Sequence, residues 1–212
     1  MLYAVFPYIF NLKAPIEHRV LDMKVIAFNS SPRKDGNTSI LVKHVLEELE
    51  RDGIETEMVH IGGHKLSGCT ACMECFRLRN RKCVIDDDIV NECIDKMLDS
   101  DGMILASPTY FADLTPQLKA LIDRAGFVAK ANDEMFRRKA GAGVVAVRRA
   151  GGVHVFDSIN HFFTISQMII PGSSYWNIGQ GLHPGDAEKD SEGIETMRTL
   201  GQNMAWLIKR IS

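Results

Sequence analysis

The sequence predicts a doubly wound α/β domain, a five-stranded parallel sheet covered by helices on both faces in three layers. Three observations predict it. Short β-rich runs alternate with helical periods, which calls for crossover connections and parallel strands. The runs are continuously apolar, as suits strands buried on both faces. The 212 residues are 45% hydrophobic and 25% charged, which is the composition of one globular domain with a real core.

The elements follow in order. Met23–Phe28 reads as a buried strand and Ser30–Asn37 as a loop. Thr38–Arg51 has Leu41, Val45 and Leu49 on one face and charges on the other, so it is an amphipathic helix, ended by Gly53. Ile54–Ile61 is the second strand. Asp87–Leu98 is a helix whose leading acids, Asp86 to Asp88, complement its dipole. Gly102–Ser107 is a third strand, Thr115–Val128 a helix and Ala142–Val147 a fourth strand. Val153–Met168 reads as helix, Ile169–Trp176 as holding the fifth strand, and Glu188–Ile211 as the last helix. The predicted division is an N-terminal extension, 1–22, and a domain, 23–212, with a cysteine loop at 68–84.

The extension begins with a nearly all-apolar stretch, Met1 to Leu12, too short for a bilayer span of about 20 residues. It lacks the basic region and cleavage site of a signal peptide. The expectation is a cytoplasmic protein without a membrane partner. With 25 basic against 27 acidic residues, nucleic acid is not an expected partner either.

In a sheet of this kind ligands sit beyond the carboxyl ends of the strands. After the first strand come three hydroxyls, an Asn, a Gly and two cations. A helix N-terminus offers unpaired N–H groups and a positive dipole end. Ser31 and Thr38 add hydroxyls and Arg33 a charged fork, which together make a phosphate cradle. A literal GxGxxA at Gly141–Ala146 lies inside a strand pattern, not in a turn opening a helix, and is set aside.

The block Ser31-Pro32-Arg33-x-x-Gly36-Asn37-Thr38 resembles the phosphate loop of the NADPH-dependent FMN reductase family, whose fold is flavodoxin-like. Ser107-Pro108-Thr109-Tyr110-Phe111, with Leu118-Lys119-x-x-Ile122-Asp123-Arg124 behind it, is similar to the family's second flavin loop. Arg148-Arg149-Ala150-Gly151-Gly152 and Tyr175-Trp176-Asn177 continue the likeness, which spans roughly residues 23–210. It implies FMN as cofactor. Pro108 and Thr109 would border the ring, and Tyr110 and Phe111 would offer flat apolar area. Gly151 and Gly152 would let the backbone approach the ring edge. Arg148 would stabilise an anionic reduced flavin. Core packing for the aromatics and an ordinary turn for the glycines are the plain alternatives.

All five cysteines, Cys69, Cys72, Cys75, Cys83 and Cys93, fall within one 25-residue window. Between Ile61 and Asp86 no long helix or strand pattern appears, and a long structureless loop is usually functional. Three cysteines at intervals of three, plus Cys83 after an excursion, suit a [4Fe–4S] centre better than zinc, which prefers separated pairs. Free thiols, a disulfide and zinc stay open. The basic excursion Phe76–Lys82 would offset a cluster's charge or simply be a solvated turn. The spacing is similar to that of the iron–sulfur flavoproteins, a branch of the same fold. The likeness implies that Cys69, Cys72, Cys75 and Cys83 carry the cluster and exchange electrons with FMN. Cys93 shares a helical stripe with Ile89 and Met97 and reads as core. His60 and His64 read as loop histidines, and His154 and His161 as helix residues of the core or surface.

The expected function is an FMN-dependent oxidoreductase passing electrons from NAD(P)H to a quinone, flavin or other small acceptor. The second reading is an iron–sulfur flavoprotein carrier fed by ferredoxin. The third is a redox-sensing binding protein. The resemblance further implies a homodimer or homotetramer.

Overall fold

A computed structural model of the chain describes residues 23–212; the extension at 1–22 lies outside them. The described elements are β1 (Lys24–Asn29), α1 (Asn37–Arg51), β2 (Glu55–His60), α2 (Glu74–Leu78), α3 (Val90–Leu98), β3 (Gly102–Pro108), α4 (Pro116–Ala131), β4 (Ala140–Val147), α5 (Gly152–Ile165), β5 (Ile178–Gln180) and α6 (Ser191–Ile211). A 3-10 turn, Asp186–Lys189, precedes α6. The five strands form one all-parallel sheet in the order β2-β1-β3-β4-β5. That is the flavodoxin-like arrangement, with its switch point between β1 and β3.

Alternate strand residues feed two separate cores. Val25, Ala27, Ile104 and Val144 face α1 and α6. Ile26, Phe28, Met103 and Leu105 face α3, α4 and α5. Both faces being covered explains why the strands read as unbroken apolar runs. Among the described residues no helix is long and apolar enough to cross a membrane.

The fifth strand departs from expectation. It is the three-residue β5, not a part of 169–176. Ile169 makes only an isolated bridge with Ala140. Pro171 then follows and has no N–H to give a ladder. Pairing with β4 resumes only at Asn177, whose carbonyl accepts from the Val145 N–H. Tyr175 and Trp176 are left exposed on the intervening loop. The other strands and the helices other than the short α2 lie where expected within a few residues, and the GxGxxA sits inside β4.

Candidate functional site

Three loops meet at the carboxyl edge of the sheet. In the first, after β1, the side chains build the turn. Asn29 Oδ1 accepts from the Ser31 N–H at 3.0 Å, and the Ser30 hydroxyl donates to the Ala106 carbonyl at 2.8 Å. Ser31 Oγ accepts from the Arg33 N–H at 3.2 Å, which leaves its own hydrogen free. Gly36 is the N-cap of α1 and has no side-chain cap. Among the described residues no partner occupies the N–H groups of Asn37, Thr38 or Ser39. Thr38 is buried and Arg33 is exposed.

The end of β2 braces this turn from behind. The Ser31 carbonyl lies 2.7 Å from His60 Nε2. A Cβ at Gly62 would sit 2.0 Å from the same carbonyl oxygen, so only glycine allows the two backbones to approach so closely. His60, expected as a plain loop residue, instead ends β2 and buttresses the turn after β1.

The Asn37 side chain has a structural task. Its Oδ1 accepts from the N–H groups of Gly185 and Ala187, and its Nδ2 donates to the His183 carbonyl at 3.0 Å. Only its backbone N–H is left for an anion.

The second loop follows β3. Ser107 Oγ accepts from the Thr115 N–H at 3.1 Å, and the Thr109 N–H donates to the Ala146 carbonyl at 2.9 Å. Thr109 Oγ1 is buried and has no partner among the described residues. Phe111 and Ala112 take φ of 43° and 65°, which swings Phe111 fully into solvent, beside a half-exposed Tyr110. At the rim, burial works to raise the Asp113 carboxyl, but the Leu114 N–H, Ser158 and His154 outweigh it and hold the group below its ordinary range. The third loop follows β4. Gly151, at φ +88°, lies against Thr109 and Ala112 of the second loop. Arg148 and Arg149 are exposed. Arg149, rather than Arg148, lines an open cleft with Gly152, Tyr175, Trp176 and Gln180.

FMN fits this edge on two observations. Three free N–H groups, with the positive end of a 15-residue helix behind them, suit its phosphate. The orphaned Thr109 hydroxyl, between the two ring-side loops, awaits a polar edge.

The cysteine loop leaves β2 at the same edge and lies along α4. It turns sharply through Ala71, Met73, Arg79 and Arg81, with φ of 54°, 60°, 48° and 63°. Cys69, Cys72, Cys75 and Cys83 line one concavity, walled by Arg124 and Phe127 of α4. None of the four is disulfide-bonded. Burial pushes the Cys75 thiol up, and Cys72 and Cys83 add to the rise. Among the described residues no three His, Cys, Asp or Glu side chains converge on a single metal-ion position. A cubane asks less of convergence, because it sets each ligand sulfur on a different iron. The all-thiolate donor set and the shared concavity fit such a cluster. Cys93 is in the core as expected, and burial pushes its thiol up to about 12.

Two clasps hold the loop. Asn91 Oδ1 accepts from the Cys83 N–H at 2.8 Å, and its Nδ2 donates to the Cys83 carbonyl at 2.9 Å. The second is the Arg124–Asp88 pair, with both side chains almost wholly buried. Asp88 also accepts from the N–H groups of Ser67 and Val90. Burial opposes both charges, yet the pair outweighs it. The guanidinium is held above its ordinary value and the carboxyl below its own. Asp88, expected only to complement the helix dipole, is instead the partner of Arg124 at the cysteine loop.

Three of the excursion's four cations are tied within the chain. Arg77 pairs with Glu74, Arg79 donates to the Ala131 carbonyl at 2.8 Å, and Lys82 lies 4.0 Å from Asp95. Around them Met73, Phe76, Leu78, Val84 and Phe127 are exposed, and Phe76 packs edge-on against Phe127.

The NADPH-dependent FMN reductase family profile matches residues 23–183. An iron-sulfur flavoprotein of Methanocaldococcus jannaschii is 38% identical over 89% of this chain and 99% of its own length. An iron-sulfur flavoprotein of Methanosarcina thermophila is 32% identical over 89% of this chain and 97% of its own. Among solved structures, the WrbA-like flavodoxin of Agrobacterium tumefaciens superposes with a TM-score of 0.61 at 14% identity, covering 89% of this chain and 98% of that one.

Proposed function

Because the chain belongs to the NADPH-dependent FMN reductase family, a family of flavin-dependent oxidoreductases, we propose that it is an iron–sulfur flavoprotein that transfers electrons between two centres. FMN occupies the carboxyl edge of the sheet, and a [4Fe–4S] cluster is held by Cys69, Cys72, Cys75 and Cys83. The observation that carries the reading is the shared concavity of those four cysteines beside α4, with Cys93 kept apart in the core. The names of the M. jannaschii and M. thermophila relatives support it.

FMN takes up electrons in pairs and releases them singly, which a one-electron cluster complements. The chain's own residues bind and orient. The N–H groups of Asn37, Thr38 and Ser39, the Ser31 hydroxyl and Arg33 hold the phosphate. Gly36 leaves the helix end uncapped for it. Pro108, Thr109, Gly151 and Gly152 border the ring. Tyr110 and Phe111 shield its face from water, and Arg148 supplies positive charge to a reduced, anionic ring. The exposed apolar side chains at the cysteine loop make the docking face for a redox partner such as ferredoxin, or for another copy in a homodimer or homotetramer. A second reading, reduction of the flavin by NAD(P)H and delivery to a small acceptor, is favoured by the open cleft of Arg149, Tyr175 and Trp176.

Anaerobic preparation with metal analysis tests the proposal. The protein is expected to be yellow-brown and to hold iron and acid-labile sulfide in equal amounts. Cys83→Ser is expected to lose the iron, and Cys93→Ser to keep it. Equal iron in both variants, or zinc in place of iron, would overturn the assignment. Anaerobic bleaching of the flavin by NADPH separates the second reading from ferredoxin-fed transfer.

A further inference from the structure

Arg124 is the largest fully buried side chain among the described residues. Four of the five N–H donors of its fork are engaged. Nε donates to Cys83 Sγ at 3.3 Å, Nη1 to the Ser67 carbonyl at 3.2 Å and to Asp88 Oδ2 at 2.5 Å, and Nη2 to the Ile85 carbonyl at 2.5 Å. One cation thus grips both stems of the cysteine loop and one of its sulfurs. The grip is rigid because the guanidinium is planar and α4 is locked into the core by Leu118, Leu121 and Ala125.

As scaffold alone the pair is a poor solution, since apolar residues of similar volume commonly replace buried ion pairs without loss of stability. A fixed cation against a ligand sulfur has a different value. Donors to ligand sulfurs are among the means by which a protein sets a cluster's potential.

Resting on the cluster reading above, we propose that Arg124 is the positioning residue that sets the reduction potential of the centre held by the four cysteines, through its bond to Cys83 Sγ. Reduction adds one electron and no proton, so the thiolate-bound group becomes one unit more negative. The Nε–H bond strengthens with that charge and favours the reduced form. Asp88 offsets part of the positive field, so the directed bond to sulfur matters more than net charge.

The test is a potentiometric titration of the anaerobically loaded protein, with dithionite as reductant and the cluster followed by electron paramagnetic resonance. Two variants are compared with wild type. Arg124→Lys keeps the charge beside Asp88 but loses the fork. The double variant Asp88→Asn/Arg124→Gln removes both buried charges together and so avoids leaving one unpaired. In the double variant the ratio of reduced to oxidised cluster at a fixed solution potential is expected to fall about tenfold, ~59 mV for one electron. Arg124→Lys is expected to lie between, and the flavin couple to stay in place. Wild-type cluster potentials in both variants overturn the proposal. So does loss of the cluster from both while FMN is retained, which would make Arg124 a clasp and nothing more. A wild-type protein that takes up no iron and sulfide overturns the parent reading, and this one with it.

Discussion

At the scale of single residues, the phosphate turn depends on an atom that is missing. Gly62 lets the end of β2 pass against the Ser31 carbonyl, where a methyl group would overlap the oxygen. Backbone cannot yield as a side chain tip does. Gly62→Ala is therefore expected to push Ser31 out of the turn and weaken FMN binding at least tenfold, measured by quenching of flavin fluorescence on titration. Gly53→Ala, with open space around its Cβ, is the control for backbone strain alone. Residues of this kind were half legible. The turn residues Ser31, Gly36 and Thr38 stand out in the sequence because they lie in one block that follows a strand. The brace formed by His60 and Gly62 was not, since it is a contact across 29 residues with no local pattern. The same holds for Asp88, whose partner is 36 residues away.

At the scale of elements, α1 and α6 pack side by side beneath the sheet. Gly201 of α6 lies against α1, and a Cβ there would meet the Val45 carbonyl oxygen and Glu48 Cβ at 2.7 Å. In an isolated helix, Gly to Ala stabilises by roughly 1 kcal/mol. Here the clash dominates, since forcing a helix pair apart costs about 1–3 kcal/mol. Gly201→Ala is thus expected to destabilise, with a lower denaturant midpoint and an unchanged slope in urea unfolding. The contrast between β4 and β5 shows what makes an element readable. β4 is eight residues, all buried, and its apolar run announces it. β5 is three residues whose strand character comes from pairing with β4, so the more apolar stretch before it drew the assignment. The short α2 escaped for the same reason, because its turn is set by the loop around it and none of its residues is buried.

At the scale of the whole molecule, several carboxyls are held below their ordinary range. Asp88 is so held by Arg124 and two N–H groups against the effect of burial, and Glu57 chiefly by Lys96. A carboxyl depressed on folding contributes stability above its unfolded pKa and loses it as pH falls through the folded one. Stability is expected to be level down to about pH 5 and to fall below about pH 4. Asp88→Asn should cost about 3 kcal/mol at neutral pH by leaving Arg124 unpaired, and should flatten the acid limb. Denaturant unfolding at a series of pH values checks both parts. The fold was the legible portion of the molecule, because periodicity specifies it. The clasp that joins the cysteine loop to α4 was not, because it exists only once distant segments have met.

That clasp also dictates an order of assembly. Ser67, Cys83, Ile85 and Asp88 all find their partner on α4. A chain synthesised from its amino end displays all four loop cysteines before Arg124 has been added. The thiols therefore wait unlatched while the chain grows. Any metal centre has that interval in which to enter an open loop, and the docking of α4 then sets Arg124 against Cys83.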